Sequence, residues 1–474
     1  MNAGAGPWGT PVMGGPAAGG MMVTGQVAID RAKVVGKIGP GFQGFSYEKT
    51  HLTNASFTGS NASLIALFKL IGPVVIRIGA NDVERCTWTA ATPFANGGQP
   101  SGQPFGHVIG SVMVDGLNDL LKASGASVIY GVNYSLNMPA NDAAEAAYVA
   151  PKLGASLIGF EIGNELDKYG AWAGERAQWE SIATAIAGAV PNATFVGMAA
   201  TAGGAGSHNV PFAMQESAKF GNKLVLLTQH YYIGGAGTGG VGVMQNVSGG
   251  VINMATTMDG AATGNRIPMG YRFGEANSFF GHGQPGLSDA LIEGLWGIDL
   301  EFTIALHGAG GINYHGGETG MDGTKPFTYT PILEANGAVT GTQPAFDASL
   351  FVYLAGQGNL LTTNVTTTNP NFTAYAVDYA ADGSTMVVLN NKNATTGVQA
   401  TVDVGVAAGS ASAIYLEGTP AGSLTAPAAS VTLAGASVTA QGTWARKPPF
   451  TQTTAGNTAT VFVPPATAAL VRIK

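Results

Sequence analysis

Charge is what this sequence has least of. Only 10% of its 474 residues are Asp, Glu, Lys or Arg, and 21 basic against 28 acidic side chains leave a net charge of −7. An ordinary globular chain spends about a quarter of its residues on charge. No Lys/Arg cluster stands anywhere along the chain, so the electrostatic footprint of a nucleic-acid or polyanion partner is missing. Cysteine occurs once, as Cys86, which excludes an intrachain disulfide and a cysteine-based metal cluster. Long hydrophobic runs are missing as well. A long uncharged stretch, between Glu180 and Glu216, is broken by Pro191, Asn192, His208 and Pro211, and no segment suits a bilayer. A soluble protein without membrane partners is the expectation. Residues 1–29 carry no charge and so lack the basic start of a secretory leader. Residues 1–21 read as a disordered or non-native segment, and a secreted or periplasmic location is expected although no signal peptide is present in this sequence.

What is abundant points the other way from disorder. Hydrophobic residues make up 45%, with 71 glycines and 24 prolines, the texture of a turn-rich globular chain. Its length suits one barrel-sized domain plus a smaller one. Between residues 42 and 316, β-rich runs alternate with helical stretches, which predicts parallel strands joined by crossover helices. Eight such strands are expected: 42–48, 74–79, 127–135, 157–165, 193–200, 224–232, 269–277 and 311–315. Helices are expected at 61–70, 115–124, 140–153, 176–189 and 288–307. Eight strands buried on both faces predict a (β/α)8 TIM barrel, an α/β fold, over residues 38–345. An open doubly wound sheet would show a Gly-rich phosphate loop after its first strand, and none stands there. After about residue 345 helix patterns give way to short Thr/Val/Ala-rich runs with turn signals, which predicts a C-terminal β-sandwich over 346–474. Residues 22–37 read as a strand packing on that sandwich.

Barrels of this kind carry their chemistry on the carboxyl ends of their strands. The fourth run ends Glu161-Ile162-Gly163-Asn164-Glu165 and the seventh ends Arg272-Phe273-Gly274-Glu275-Ala276-Asn277, so Glu165 and Glu275 face each other across the barrel mouth. Two carboxyls are the minimum set for cleaving a glycosidic bond: one stays protonated to serve the leaving group, and one stays ionised beneath the oxocarbenium-like centre. For either glutamate alone a structural ion pair is the better reading; as a pair they favour catalysis. The sixth run ends His230-Tyr231-Tyr232. Alternation puts His230 and Tyr232 on one side, where a hydroxyl can hold a nucleophile ionised, although a core tyrosine is equally compatible. Arg77, inside an apolar strand, requires a carboxylate partner, either in the site or at the barrel bottom. Glu48, Tyr314 and His315 close the first and eighth runs and are candidate sugar-hydroxyl contacts. No His/Asp/Glu set stands at metal-ligand spacing, so neither a metal nor an organic cofactor is expected.

Taken together, Gly44-Phe45-Ser46-Tyr47-Glu48, Val75-Ile76-Arg77-Ile78-Gly79 and the strings around Glu165, Tyr232 and Glu275 resemble glycoside hydrolase family 79, a family of retaining β-glucuronidases and heparanases built from a barrel and a β-sandwich. The resemblance spans nearly the whole chain. It implies Glu165 as acid/base, Glu275 as nucleophile, Asn164 near the sugar 2-hydroxyl, Tyr232 on the nucleophile, Glu48 at a hydroxyl across the glucuronate ring, and Arg77 supporting the nucleophile. It further implies that the sugar carboxylate is held by the loop Phe280-Gly281-His282-Gly283 and by Tyr329. Lys325 is the nearby cation in a region otherwise poor in Lys and Arg. The expected activity is a monomeric exo-β-glucuronidase acting on a glucuronic-acid-containing carbohydrate. An endo-acting heparanase-like enzyme, a hydrolase of a neutral β-glycoside and a catalytically silent sugar-binding protein are the alternatives.

Overall fold

A strand buried on both faces needs apolar side chains on both, and the eight runs have them. The computed structural model describes residues 8–16, 20–90, 107–318, 327–379 and 381–474. In it the runs form β1 (Gly44–Glu48), β2 (Val75–Gly79), β3 (Ser127–Val132), β4 (Leu157–Ile162), β5 (Phe195–Ala200), β6 (Leu224–Gly235), β7 (Tyr271–Phe280) and β8 (Ile312–Gly316). All pair in parallel, and β8 beside β1 closes the ring. The fold is a (β/α)8 barrel. Val75, Ile129, Val196 and Leu226 fill its interior as one apolar layer. On two of these strands, β2 and β6, the position two residues further toward the carboxyl end is polar, Arg77 and Thr228. That change of layer is where the site begins.

Two strand ends differ from expectation in ways that matter for the site. β4 stops at Ile162, and Gly163 and Glu165 both take left-handed backbone angles, φ +77° and +53°. A Cβ on Gly163 would sit 2.6 Å from both Leu166 and Tyr134, so only glycine passes there. Glu165 is therefore carried on a tight turn beyond the strand. β7 instead runs on to Phe280, with a register irregularity between Phe273 and Glu275 against β6, so Glu275 sits within the strand at a bulge.

Helices Ala62–Leu70, Ser111–Ser124, Pro139–Leu153, Trp172–Ala189 and Leu291–Leu306 cover the barrel. Val210–Phe220 and Gly249–Gly264 were not legible. The second contains four glycines, which depress helix propensity. The expectation that helices end near residue 345 is corrected by Pro344–Ala355. Residues 344–352 are all buried, so no polar face leaves a 3.6-residue period to read.

The C-terminal sheet is one ten-stranded ladder, and Ala411–Gly418 pairs with Thr467–Ile473 to bring it back on itself as a sandwich. Met21–Ile38 enters it, antiparallel to Gly358–Thr367 and parallel to Thr396–Asp403. Val12 bridges to Phe450, so residues 8–16 are tied to this sheet. Sandwich and barrel meet at a buried charge: Lys392 pairs with Asp299 of the Leu291–Leu306 helix, and Asn390 donates to the same carboxylate at 2.8 Å.

The neighbouring Glu301 is fully buried, accepting from Gln43 and Ser349 at 3.3 Å each. Burial pushes its carboxyl up to about 8, and that of Asp347 up to about 7. A carboxyl raised in the folded state contributes stability that is complete below its unfolded value of about 4.3 and is lost as pH rises through the folded value. The thermal midpoint is therefore expected to fall by several degrees between about pH 5 and about pH 9, and Glu301→Gln should flatten that fall in calorimetry.

Candidate active site

Arg77 stands on β2 with its side chain wholly out of solvent. A buried guanidinium needs its charge matched and its donors filled. Nε meets Glu161 Oε2 at 2.5 Å and Nη1 meets Glu275 Oε2 at 2.8 Å, while Nη1 also donates to Ser46 Oγ at 3.2 Å and Nη2 to Asn164 Oδ1 at 2.8 Å. Thr228 donates to the second oxygen of Glu161 at 2.7 Å. Of the two placements open to Arg77, the structure has the one in the site.

Glu275 receives a second donor on its other oxygen, the Tyr232 hydroxyl at 2.8 Å. Burial alone would raise its carboxyl, but His315, His230, Arg77 and the Tyr232 hydrogen bond together hold it well below the usual range. Glu275 is thus held as an anion. Glu165 has different company: His230 Nδ1 lies 3.1 Å from Oε1, and Lys168 Nζ bonds Oε2. Burial and the charge of Glu275 push its carboxyl up; His230 and Lys168 outweigh them and leave it below its ordinary value. An oxygen of Glu165, an oxygen of Glu275 and a ring nitrogen of His230 all lie within 4.8 Å of one another.

These groups open into a cavity of about 430 Å³ lined also by Glu48, Asn81, Thr201, Phe280, Gly281, His282, His315, Phe327 and Tyr329. Glu48 Oε2 accepts from the Asp82 amide at 2.7 Å, and burial with the Asp82 charge raises its carboxyl well above the usual range. The cavity thus holds a third carboxyl, one that keeps its proton more readily than an ordinary glutamate. Tyr329 packs 6.0 Å from the Tyr232 ring, and Phe280, 57% exposed, sets its edge toward Tyr232 at the rim.

The fold departs from sequence expectation at four places. Gly283 is not in the lining; its N–H goes to the Phe279 carbonyl at 3.1 Å, and a Cβ would meet Tyr329 N at 3.0 Å. It shapes the loop and donates nothing to a ligand. Tyr314 points out of the barrel, donating to the Gly297 carbonyl at 3.3 Å, because neighbours on a strand face opposite ways; its neighbour His315 faces in. Asn164 lies under the cavity, with Oδ1 on Arg77 and Nδ2 on Asn81 at 3.3 Å. A His/Glu set with ligand-like proximity does exist, since Glu165 from the turn after β4, His230 from β6 and Glu275 from β7 come together. The positive charge there is supplied by Arg77 and Lys168, which oppose a metal cation on the same oxygens. Lys325 lies outside the described residues. Missed by sequence reasoning were Lys168, Asn81 and Glu84, the last accepting the Asn164 N–H at 2.7 Å. Lys168 stands three residues after Glu165, and that spacing was its only signal.

No family model matches this sequence, and no curated protein matches it. Solved structures do. A 4-O-α-L-rhamnosyl-β-D-glucuronidase from Fusarium oxysporum, seen as a complex with Rha-GlcA, superposes with a TM-score of 0.75 at 18% identity, over 94% of this chain and 99% of the other. A family 51 arabinofuranosidase from Xanthomonas axonopodis pv. citri gives 0.65 at 15% identity, covering 95% and 100%. A Paenibacillus polymyxa family 44 xyloglucanase gives 0.60 at 11%, covering 95% and 99%. The chain shares the fold of these glycoside hydrolases.

Removing the Arg77 charge strands two buried carboxylates. Arg77→Met is expected to cost about 3–5 kcal/mol of stability, the penalty of breaking a buried pair, measured as a lowered urea midpoint. Arg77→Lys should recover only part, because one ammonium cannot replace a forked set of donors.

Proposed function

We propose that the chain is a glycoside hydrolase, and specifically a retaining exo-β-glucuronidase. The observation that carries this reading is the gap between Glu165 and Glu275, whose oxygens approach within 4.8 Å. Retaining enzymes set their carboxyls about 5–5.5 Å apart and inverting ones about 6.5–9.5 Å, to admit a water. Glu275, ionised and held by Arg77 and Tyr232, attacks the anomeric carbon while Glu165 protonates the departing oxygen. The ester formed at Glu275 carries no charge. The upward push of Glu275 on Glu165 then disappears, and Glu165 becomes the base that deprotonates water for the second displacement. Water attacks the anomeric carbon, the ester bond breaks, and Glu275 leaves as a carboxylate.

Glucuronate is favoured by the family resemblance and by the likeness to a glucuronidase of the same fold. Gly281, His282 and Tyr329 line the cavity and are assigned to the sugar carboxylate, with Glu48 binding a hydroxyl across the ring. Only one Lys or Arg, Lys168, lines the cavity among the described residues. That suits a single terminal sugar better than a long sulfated polymer, which would call for a cationic cleft.

Hydrolysis of p-nitrophenyl β-glucuronide followed by NMR tests this directly. β-Glucuronic acid should appear first; α-anomer first would overturn retention, and turnover confined to neutral glycosides would overturn the substrate. Glu275→Gln should abolish turnover. Glu165→Ala should lose about 10²–10⁴-fold on a poor leaving group and far less on p-nitrophenyl, whose departure needs no proton. No turnover of any glycoside by the unaltered chain would favour a sugar-binding protein.

A further inference from the structure

The two catalytic candidates are held by unlike partners. Those of Glu275 are fixed: Arg77 is sealed in the barrel and Tyr232 is on β6. Those of Glu165 are not alike. His230, 1% exposed, sits on β6 at Oε1. Lys168 occupies Oε2 from a short turn, Leu166–Lys168, with 58% of its side chain in solvent. An ammonium group is all donor and no acceptor. While that cation stays on Oε2, it favours the ionised carboxylate over the protonated acid that a leaving group needs.

Lys168 is the partner free to go. It has a flexible four-carbon stem, it lines the cavity beside Thr201, Ala202 and Gly203, and it is the sole Lys or Arg in the lining among the described residues. Whatever departs from the sugar passes the acid/base, and so passes this ammonium. We propose that Lys168 selects glucuronides whose departing unit carries an oxyanion, a carboxylate or a sulfate, and that this anion draws the lysine off Glu165. One carboxylate partner is exchanged for another oxyanion, so no charge is left unpaired. Oε2 is vacated, Glu165 takes up one proton from solvent, and it delivers that proton to the glycosidic oxygen as the bond to the anomeric carbon breaks. Lys168 thereby ties recognition of the leaving side to arming of the acid. The inference rests on the glucuronidase reading above.

The test compares phenyl β-glucuronide with its 3-carboxyphenyl and 3-sulfophenyl analogues, in which a meta anion leaves the acidity of the phenol little changed. Each is assayed with the unaltered enzyme, Lys168→Met and Lys168→Arg. The unaltered enzyme should prefer an anionic analogue by about fivefold in kcat/KM, as befits a solvent-exposed ion pair, and the preference should fade at high salt. Lys168→Met should lose it and Lys168→Arg keep it, with thermal midpoints unmoved because the side chain is exposed. Preference for one analogue over the other tells a carboxylate from a sulfonate, the hydrolysis-proof stand-in for a sulfate. Equal ratios in the unaltered enzyme and Lys168→Met overturn the proposal while leaving glucuronidase activity standing. Failure to cleave any of the three glucuronides overturns the glucuronidase reading and this proposal with it.

Discussion

A positive charge buried in the centre of a β-barrel is costly, and this molecule organises its candidate active site around one. Arg77 has no solvent access, so its guanidinium persists only because Glu161 and Glu275 match its charge and Ser46 and Asn164 take its remaining donors. Those partners come from β1, β4, β7 and the turn after β4. The same bonds that make the arginine tolerable also fix Glu275 in place and in the ionised state. For the proposed role the structure and the reactivity are one constraint, since a nucleophile must be both aimed and charged.

Around that fixed point the site is asymmetric. Glu275 sits at a bulge inside a strand, between two rigid donors. Glu165 sits past the end of β4 on a left-handed turn, between a buried imidazole and a solvent-exposed lysine. An anion held on all sides suits attack. A carboxyl with one removable partner suits a group that must gain and lose a proton in each turnover. The difference in proposed role between two chemically identical side chains thus follows the exposure of their neighbours.

Much of this was legible beforehand, and for identifiable reasons. The eight strands announce themselves because burial on both faces demands unbroken apolar runs. Glu165 and Glu275 stand out as acids at the carboxyl ends of such runs, and Arg77 as a cation in the middle of one. The helix Pro344–Ala355 was hidden by being buried all round, and the glycines of Gly249–Gly264 masked another. Tyr314 and His315 look equivalent in sequence; strand alternation sends one to a helix and the other to the cavity. Gly283 looked like a backbone donor, but loop closure had already engaged its N–H. Lys168 had only its distance from Glu165 to recommend it.

Patterns that depend on local periodicity, and charges placed against the grain of their surroundings, are properties of the chain alone. They determined the barrel, the sandwich, the two acids and the need for Arg77 to find a carboxylate. Which carboxylates it found, how near Glu165 comes to Glu275, and which amides and hydroxyls remain available to a sugar were decided only by tertiary structure. The reason is that such choices are settled by ångström-scale competition among groups far apart in sequence, and no local pattern records who wins.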